Sequence, residues 1–564
     1  MSPLNWQCPD LSTGGRAGST GPWSMVGFAL LGQSLGPTVR ELHFHGPIRR
    51  KGHAVIDRRK FLLGSLAVSG LGLSGIGPAV AEPASTGAEP GTDGFAPSFQ
   101  GEVVTAGDPQ YPVAKQLELG QFDTVNPKAI AYCESSSDVS LALRAARLQG
   151  IPVAVRSGGH SYGGYSTTPG LLIDVSRINA VTIGSGSVTI GPGAMNVDVL
   201  NTLAPAGLVV GGGGCPTVAA GGFIQGGGFG FLTRPFGMAC DAMTSAQVVL
   251  ADGSTVTASA TENTDLFWAL RGGGGGNFGV VTSYQVTPHP LNLVQVTNLS
   301  FAWSQAEQVL DAYTRWLVAA PSTIGGGAYV NLPDAGPTAT PTVSVSMVSV
   351  GTADELATQA GRLIAQTGDP AGRQDAALPY QALMMTVYGC QDATVTECHR
   401  EGKTAGGTLP RPAFGLERSR LCNTPAGATA WHEVLSAFDA DRAPGHFRQL
   451  EVHAFGGAAN TVSRTATAYV HRDALYCVNY RDTIGDPAAA TETEKTRAHT
   501  WVDRGFATID PYSSGESYQN WIDPDLPNWR DAYYAENYPR LLRIKKKCDP
   551  TSVFSFKQGI GAAG

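Results

Sequence analysis

Three glycine-rich runs interrupt the 564-residue chain, and two of them hold side chains able to do chemistry. The first is Arg156-Ser157-Gly158-Gly159-His160-Ser161-Tyr162-Gly163-Gly164. A loop of this kind after a strand can turn several backbone N–H groups toward an anion such as a pyrophosphate. The second runs from Gly211 to Gly230 and contains Cys215-Pro216-Thr217-Val218. Its glycines let backbone approach a flat ligand closely. The third, 271–279, contains Gly274-x-Gly276-x-x-Gly279, the spacing of a dinucleotide-binding fingerprint. That fingerprint must follow a strand and open a helix, whereas 280–286 (Val-Val-Thr-Ser-Tyr-Gln-Val) reads as a strand, so a Rossmann NAD site is rejected.

The elements around these loops are legible from periodicity and punctuation. A helix is expected from Ser137-Asp138 through Leu148, stopped by Gly150 and Pro152, with Val139, Ala142, Leu143 and Ala146 on its apolar stripe. Short strands are expected at 151–155, 170–175, 187–190 and 208–210. The character then changes. Ser304-x-x-Glu307 and Thr352-x-x-Glu355 read as capping boxes opening helices to Val318 and Gln366. Between them 342–350 alternates strictly, as does part of 450–455, so 293–509 is expected to be helices with an antiparallel sheet. Glu451, His453 and Phe455 share one face of the second alternating strand. A closing helix is expected over 529–547, ended by Asp549-Pro550.

Composition narrows the class. Hydrophobic residues make up 42% and charged residues 15%, enough apolar material for a sizeable core. The net charge of −7 argues against a nucleic-acid partner. The nine cysteines contain no C-x-x-C pair, so no metal site is assigned. Cys390 and Cys398 flank a short polar loop and are the expected disulfide.

Several long motifs occur in order: Val155-Arg-Ser-Gly-Gly-His160-Ser-Tyr-Gly-Gly, Cys215-Pro-Thr-Val-x-x-Gly-Gly-x-x-x-Gly-Gly-Gly-x-Gly, Asp265-Leu-Phe-Trp-Ala-Leu-Arg-Gly-Gly-Gly-Gly and Tyr534-x-x-Asn537-Tyr-x-Arg-Leu. Together they resemble the berberine bridge enzyme-like FAD-linked oxidases of the vanillyl-alcohol-oxidase superfamily. The likeness is strong over about 100–290 and 510–564 and weak between, and is nearest to bacterial oligosaccharide and aclacinomycin-type oxidases. It implies an α+β, two-domain fold: an FAD-binding domain from 101–292 and 510–564, split by a substrate domain of antiparallel sheet and helices at 293–509.

The same resemblance implies FAD held by two covalent bonds, from His160 to the 8α-methyl and from Cys215 to C6. It also implies cofactor contacts from Arg156, Ser157, Gly158, Gly159, Ser161, Tyr162, Gly214, Val218, Gly222, Gly226, Gly227, Gly230, Val281, Asn520 and Asn537. Asp241 and Arg271 read as structural. The implied reaction is oxidation of an alcohol in a carbohydrate or glycosylated metabolite by hydride transfer to the flavin, with oxygen reduced to hydrogen peroxide. Val218, three residues after the linked cysteine, is the expected oxygen gate. A dehydrogenase with another acceptor and a flavin-carrying binding protein are the alternatives. The candidate base is Tyr518, Glu451 or His453. Tyr518-Gln519-Asn520-Trp521 keeps the tyrosine and asparagine of the family's Tyr-x-Asn-Tyr segment but ends in tryptophan. A tyrosine titrates near 10, so it needs a partner that lowers it. Phe223 and Ala219 are further departures, standing where relatives often have His or Asn and glycine.

Residues 1–60 carry eight basic and three acidic side chains, a net of +5 that leaves −12 for the rest. Arg58-Arg59-Lys60-Phe61-Leu62, an uncharged Gly/Ser-rich run and Ala79-Val80-Ala81 read as a twin-arginine export signal over 58–81. Its glycines and serines make it a poor membrane span. The mature chain is expected to begin near Glu82, after an extended leader or a misassigned start at 1–57, with 82–100 as a linker. The protein is thus expected outside the cytoplasm, exported folded by the twin-arginine machinery, with a small molecule or oligosaccharide and molecular oxygen as partners.

Overall fold

The computed structural model describes residues 98–562. The expected leader, the twin-arginine signal, Cys8 and all but the end of the expected linker lie outside them. Among the described residues no helix is long and apolar enough to cross a membrane.

The helix Ser136–Gln149 begins where Ser135 Oγ accepts the Asp138 N–H and ends at Gly150, whose φ of 62° continues no helix. It packs on a four-stranded sheet ordered Glu102–Thr105, Ala129–Tyr132, Leu171–Asp174, Val153–Arg156. The last three strands are parallel, and Val153–Arg156 delivers the chain into the first glycine run. A five-stranded antiparallel sheet follows, ordered Val181–Ile183, Val188–Ile190, Val280–Val286, Met243–Val249, Thr255–Ser259. Val280–Val286 is the strand that ruled out a dinucleotide fingerprint in the third glycine run.

The largest sheet has seven antiparallel strands, in the order Gly372–Pro379, Leu293–Phe301, Thr342–Ser349, Ile324–Leu332, His446–Ala454, Tyr476–Ile484, Phe414–Cys422. Its side chains alternate. Leu450, Val452, Ala454, Val478 and Tyr480 point into a core completed by the helices Ala306–Leu317, Ala353–Thr367, Ala428–Asp439 and Glu492–Ile509. The opposite face of the same strands therefore carries Gln449, Glu451, His453, Asn479 and Arg481.

Three local expectations are corrected. The first capping box does not form: a 3₁₀ turn, Trp303–Gln305, precedes the helix, and Gln305 Oε1 accepts the Ala302 N–H. The second is half made, since Thr352 Oγ1 accepts the Glu355 N–H while the Glu355 carboxylate turns to Thr323 instead. The closing helix is broken. Trp529–Tyr534 ends at Ala535, whose φ of 38° is left-handed, and Tyr538–Cys548 starts a new helix. The break turns the tail back: Lys545 Nζ donates to the carbonyls of Asn277 and Phe554 and pairs with Asp549. Cys390 and Cys398 form the expected disulfide.

Asp241 and Arg271 act as braces. Both Asp241 oxygens accept from Arg472, at 2.7 Å each, and Arg271 lies 4.1 Å over the Phe267 ring. The Arg472 side chain is 1% exposed, so removing its partner strands a buried cation. Asp241→Ala is expected to cost about 3–5 kcal/mol, read as a lower denaturation midpoint with an unchanged denaturant dependence.

Candidate functional site

One cavity of about 470 Å³ runs between the glycine loops, the polar face of the seven-stranded sheet and the C-terminal tail. Its wall carries Ser157, Gly158, Gly159, His160, Ser161 and Tyr162 from the first run, and Gly214, Cys215, Val218 and Gly222 from the second. Val281 and Asn520 line it too, as do Phe223 and Ala219. Glu451, His453 and Tyr518 stand on the same wall. The residues on which flavin attachment and catalysis were expected thus face one space, although more than 350 positions separate His160 from Tyr518 in the chain.

Five residues expected at the cofactor stand off the wall. Arg156 turns to the back of its strand, where it pairs with Asp174 at 2.5 Å and donates to the Ala114 carbonyl. Gly226 packs on Asn520, Gly227 on the Tyr469 ring and Gly230 on the Gly212 carbonyl, so their missing side chains make room for protein rather than ligand. Asn537 caps no ring: its Nδ2 donates to the carbonyls of Arg464, Thr467 and Ala468.

His160 is held from behind. Its Nε2 lies 2.9 Å from Thr217 Oγ1 and 3.6 Å from a Glu118 carboxylate oxygen. Burial lowers the ring's basicity below that of an ordinary histidine, against the opposing pull of Glu118, so the imidazole is neutral at neutral pH.

Around Glu451, cross-strand rows assemble a charged network. Arg481 Nε lies 3.3 Å from Glu417 and Nη2 lies 3.4 Å from Glu451, while Asn479 Nδ2 donates to both carboxylates. Burial alone would raise Glu451, but Arg481, His453 and Asn479 outweigh it and hold the carboxyl down at about 2. It is therefore a fixed carboxylate, 3.6 Å from His453 Nε2. Glu417 goes the other way: burial, with repulsion from Glu451, pushes it up to about 7 despite Arg481. Tyr518 does not find the lowering partner that a tyrosine base needs. Its oxygen accepts the Gly228 N–H at 2.9 Å and Asn520 Nδ2 at 3.0 Å, yet burial wins and raises it. It remains a phenol at neutral pH. Phe229 packs among Tyr518, Trp521 and His453, with ring centroids 4.9, 5.0 and 5.1 Å away.

Sequence reasoning missed Glu118, Thr217, Arg481, Phe229 and the tail residues Phe556 and Gln558. Arg481 had a signal in the period-two alternation of 476–484, where it falls opposite Val478 and Tyr480. Glu118 and the tail residues had none, because only long-range folding brings them to the cavity.

A mixed sheet-and-helix fold around a glycine-walled cavity with an imidazole and a thiol on its loops is the setting in which comparisons with known proteins point to a flavoprotein oxidoreductase. An FAD binding domain model matches residues 127–259, and a berberine and berberine-like model matches 517–561. The chain is 29% identical to an uncharacterized FAD-linked oxidoreductase, YgaK, of Bacillus subtilis, over 82% of this chain and 96% of that one. It is 28% identical to a glucooligosaccharide oxidase of Sarocladium strictum, over 76% and 86%. The solved glucooligosaccharide oxidase of Acremonium strictum, described with a 6-S-cysteinyl, 8α-N1-histidyl FAD, superposes with a TM-score of 0.72 at 24% identity, covering 82% of this chain and 98% of that one. This chain thus carries the FAD binding domain and the berberine-like segment of the berberine bridge enzyme-like FAD-linked oxidoreductases, and has the mixed helix-and-sheet fold of that group.

The wall suits such a cofactor. A side chain on Gly222 would meet no protein atom within 4 Å and would project into the cavity. Tyr165 Oη, Thr167 Oγ1 and Gln558 Oε1 are buried on the same wall without hydrogen-bond partners among the described residues, as a polar ligand requires.

The Glu417 carboxyl gives a pH signature. Its folded value of about 7 exceeds the ordinary 4.5, so the folded state binds the extra proton between those values and loses stability as pH rises through them. Glu417→Gln removes that loss. From pH 4 to 8 its unfolding free energy is expected to gain roughly 3 kcal/mol on the wild type, read by denaturant titration at each pH.

Proposed function

We propose that this enzyme oxidises an alcohol carbon of a carbohydrate or glycosylated small molecule, with FAD bound covalently through His160 and Cys215 and oxygen as final acceptor. The observation that carries this reading is the single cavity whose wall holds His160 and Cys215 together with Glu451, His453 and Tyr518. The oligosaccharide-oxidising relative supports the substrate class. FAD, when bound, accepts the hydride and passes both electrons to oxygen.

The protein's own share is proton transfer and positioning. His453 takes the hydroxyl proton, with Glu451 as the carboxylate that orients its ring and steadies the imidazolium. Tyr518 remains protonated and offers its hydroxyl to the substrate, its ring fixed by Gly228 and Asn520. Phe229 and Trp521 exclude water and present apolar faces to a sugar ring. Val218 lines the cavity three residues after Cys215, and its small side chain leaves oxygen a path. Export in the folded state by the twin-arginine route rests on Arg58-Arg59 and Ala79-Val80-Ala81.

Peroxide release on a panel of mono- and oligosaccharides tests the reaction, and flavin retained after acid precipitation tests the linkage. His453→Gln is expected to slow anaerobic flavin reduction by roughly 10²–10⁴-fold while leaving reoxidation by oxygen unchanged. Val218→Leu is expected to do the reverse, slowing reoxidation in stopped flow and sparing the reductive half. If wild-type reduced enzyme ignores oxygen and passes its electrons to a dye, the dehydrogenase alternative takes over.

A further inference from the structure

We infer that Glu118 positions His160 for covalent attachment of the flavin, by holding the ring proton on Nε2 and so presenting Nδ1 as the nucleophile. The inference rests on the proposed His160 linkage and goes beyond it, since nothing in that reading assigns a residue that prepares the histidine.

The geometry has three parts. First, both neighbours of His160 approach the same nitrogen. Thr217 Oγ1 lies 2.9 Å and a Glu118 carboxylate oxygen 3.6 Å from Nε2. Second, the two neighbours are not equivalent. A hydroxyl both donates and accepts, so Thr217 alone is compatible with either tautomer. A carboxylate only accepts, so Glu118 favours the tautomer with its proton on Nε2 and its lone pair on Nδ1. Third, Glu118 is held in place. Its own N–H donates to the Gly159 carbonyl, next to His160. From the other side Arg400 donates to the carbonyl of Leu117 and to Gln116 Oε1, at 2.7 and 2.6 Å, clamping the segment that carries Glu118. The two side chains are 14% and 17% exposed, so the carboxylate acts on the ring with little screening by water.

The chemistry requires this arrangement. Burial keeps His160 neutral, which makes it a nucleophile but does not choose the nitrogen. In the attachment a bond forms between Nδ1 and the flavin's 8α carbon, and one C–H bond of that methyl group breaks. The Nε2 proton passes to Glu118 and on to solvent, and the methyl proton is also released. The two electrons left on the cofactor go to molecular oxygen, which with the two protons gives hydrogen peroxide. Glu118 thus orients the ring before the bond forms and offsets the positive charge that Nδ1 alkylation places on it. Cys215 stands on the other glycine run, so its bond is expected to form whether or not Glu118 is changed.

That independence supplies the test. Wild type, Glu118→Gln, Glu118→Asp and Thr217→Val are purified, incubated in air with excess FAD and sampled over time. Each sample is digested, and flavin is quantified separately on the His160 peptide and on the Cys215 peptide by mass spectrometry. Glu118→Gln is expected to slow attachment at His160 at least tenfold, with attachment at Cys215 unchanged and the thermal midpoint close to wild type. Glu118→Asp is expected to recover most of the rate, and Thr217→Val to lose less than Glu118→Gln does. Attachment at His160 in Glu118→Gln at the wild-type rate overturns the inference and leaves the linkage intact. Parallel loss of both links, or no recovery in Glu118→Asp, also overturns it, because either marks a purely structural role. An unmodified His160 peptide in the wild type itself refutes the linkage reading and takes this inference with it.

Discussion

The structure depends on backbone meeting backbone without side chains between. A Cβ on Gly272 would lie 2.1 Å from the Tyr469 nitrogen, and φ there is +115°, which only glycine adopts without strain. A Cβ on Gly325 would lie 2.0 Å from the Phe231 carbonyl. The first contact seats the third glycine run on the loop that carries Arg472. The second seats the seven-stranded sheet on the end of the second run. Arg234 then locks that seam, donating to the carbonyls of Ile324, Phe455 and Ala320 from a site 3% exposed. Close packing of main chain is what brings the sheet's polar face within one cavity's width of the glycine loops.

Given that seam, the antiparallel sheet does the rest by arithmetic. Period-two alternation sends Val452 and Val478 to the helices and therefore Glu451 and Arg481 to the face that lines the cavity. Register places Glu451 opposite Asn479 and Glu417 opposite Arg481, so one cation is shared by two carboxylates. One carboxylate is held ionised, and the other is driven toward its neutral form. Splitting two like groups in this way lets a buried site keep a permanent anion beside His453 without carrying two uncompensated charges.

The surroundings of His160 are organised by local loops. Glu118, Thr217 and the N–H groups of the first glycine run all lie within a few residues of a strand end or a tight turn, where short segments have few conformations. The disulfide-closed loop around Cys390 and Cys398 contributes Arg400 to the same region. The imidazole is thereby held through its Nε2.

What the sequence alone determined is what short-range physics controls. The helix after Ser135, the strands flanking the glycine runs and the polar face of 450–455 were all legible, because capping, punctuation and periodicity act over a few residues. The motifs around His160 and Cys215 identified the family for the same reason: their spacing is local. Tertiary structure alone decided which candidates reach the cavity. Arg156, Gly226, Gly227, Gly230 and Asn537 belong to matching motifs but turn to protein partners that come from distant segments. Glu118, Arg481 and Gln558 belong to no motif yet stand at the site or directly behind it. The break at Ala535 did have a local signal: Pro539 has no N–H to give the Ala535 carbonyl and its ring clashes with that carbonyl, so one helix cannot run through 529–547 and a new one starts with Pro539 in its first turn. What distant residues decide is where the tail then goes, with Lys545 reaching the carbonyls of Asn277 and Phe554. Burial, the quantity that raised Tyr518 and Glu417 and lowered His160, is a property of the assembled packing and has no value for any residue until the chain is folded.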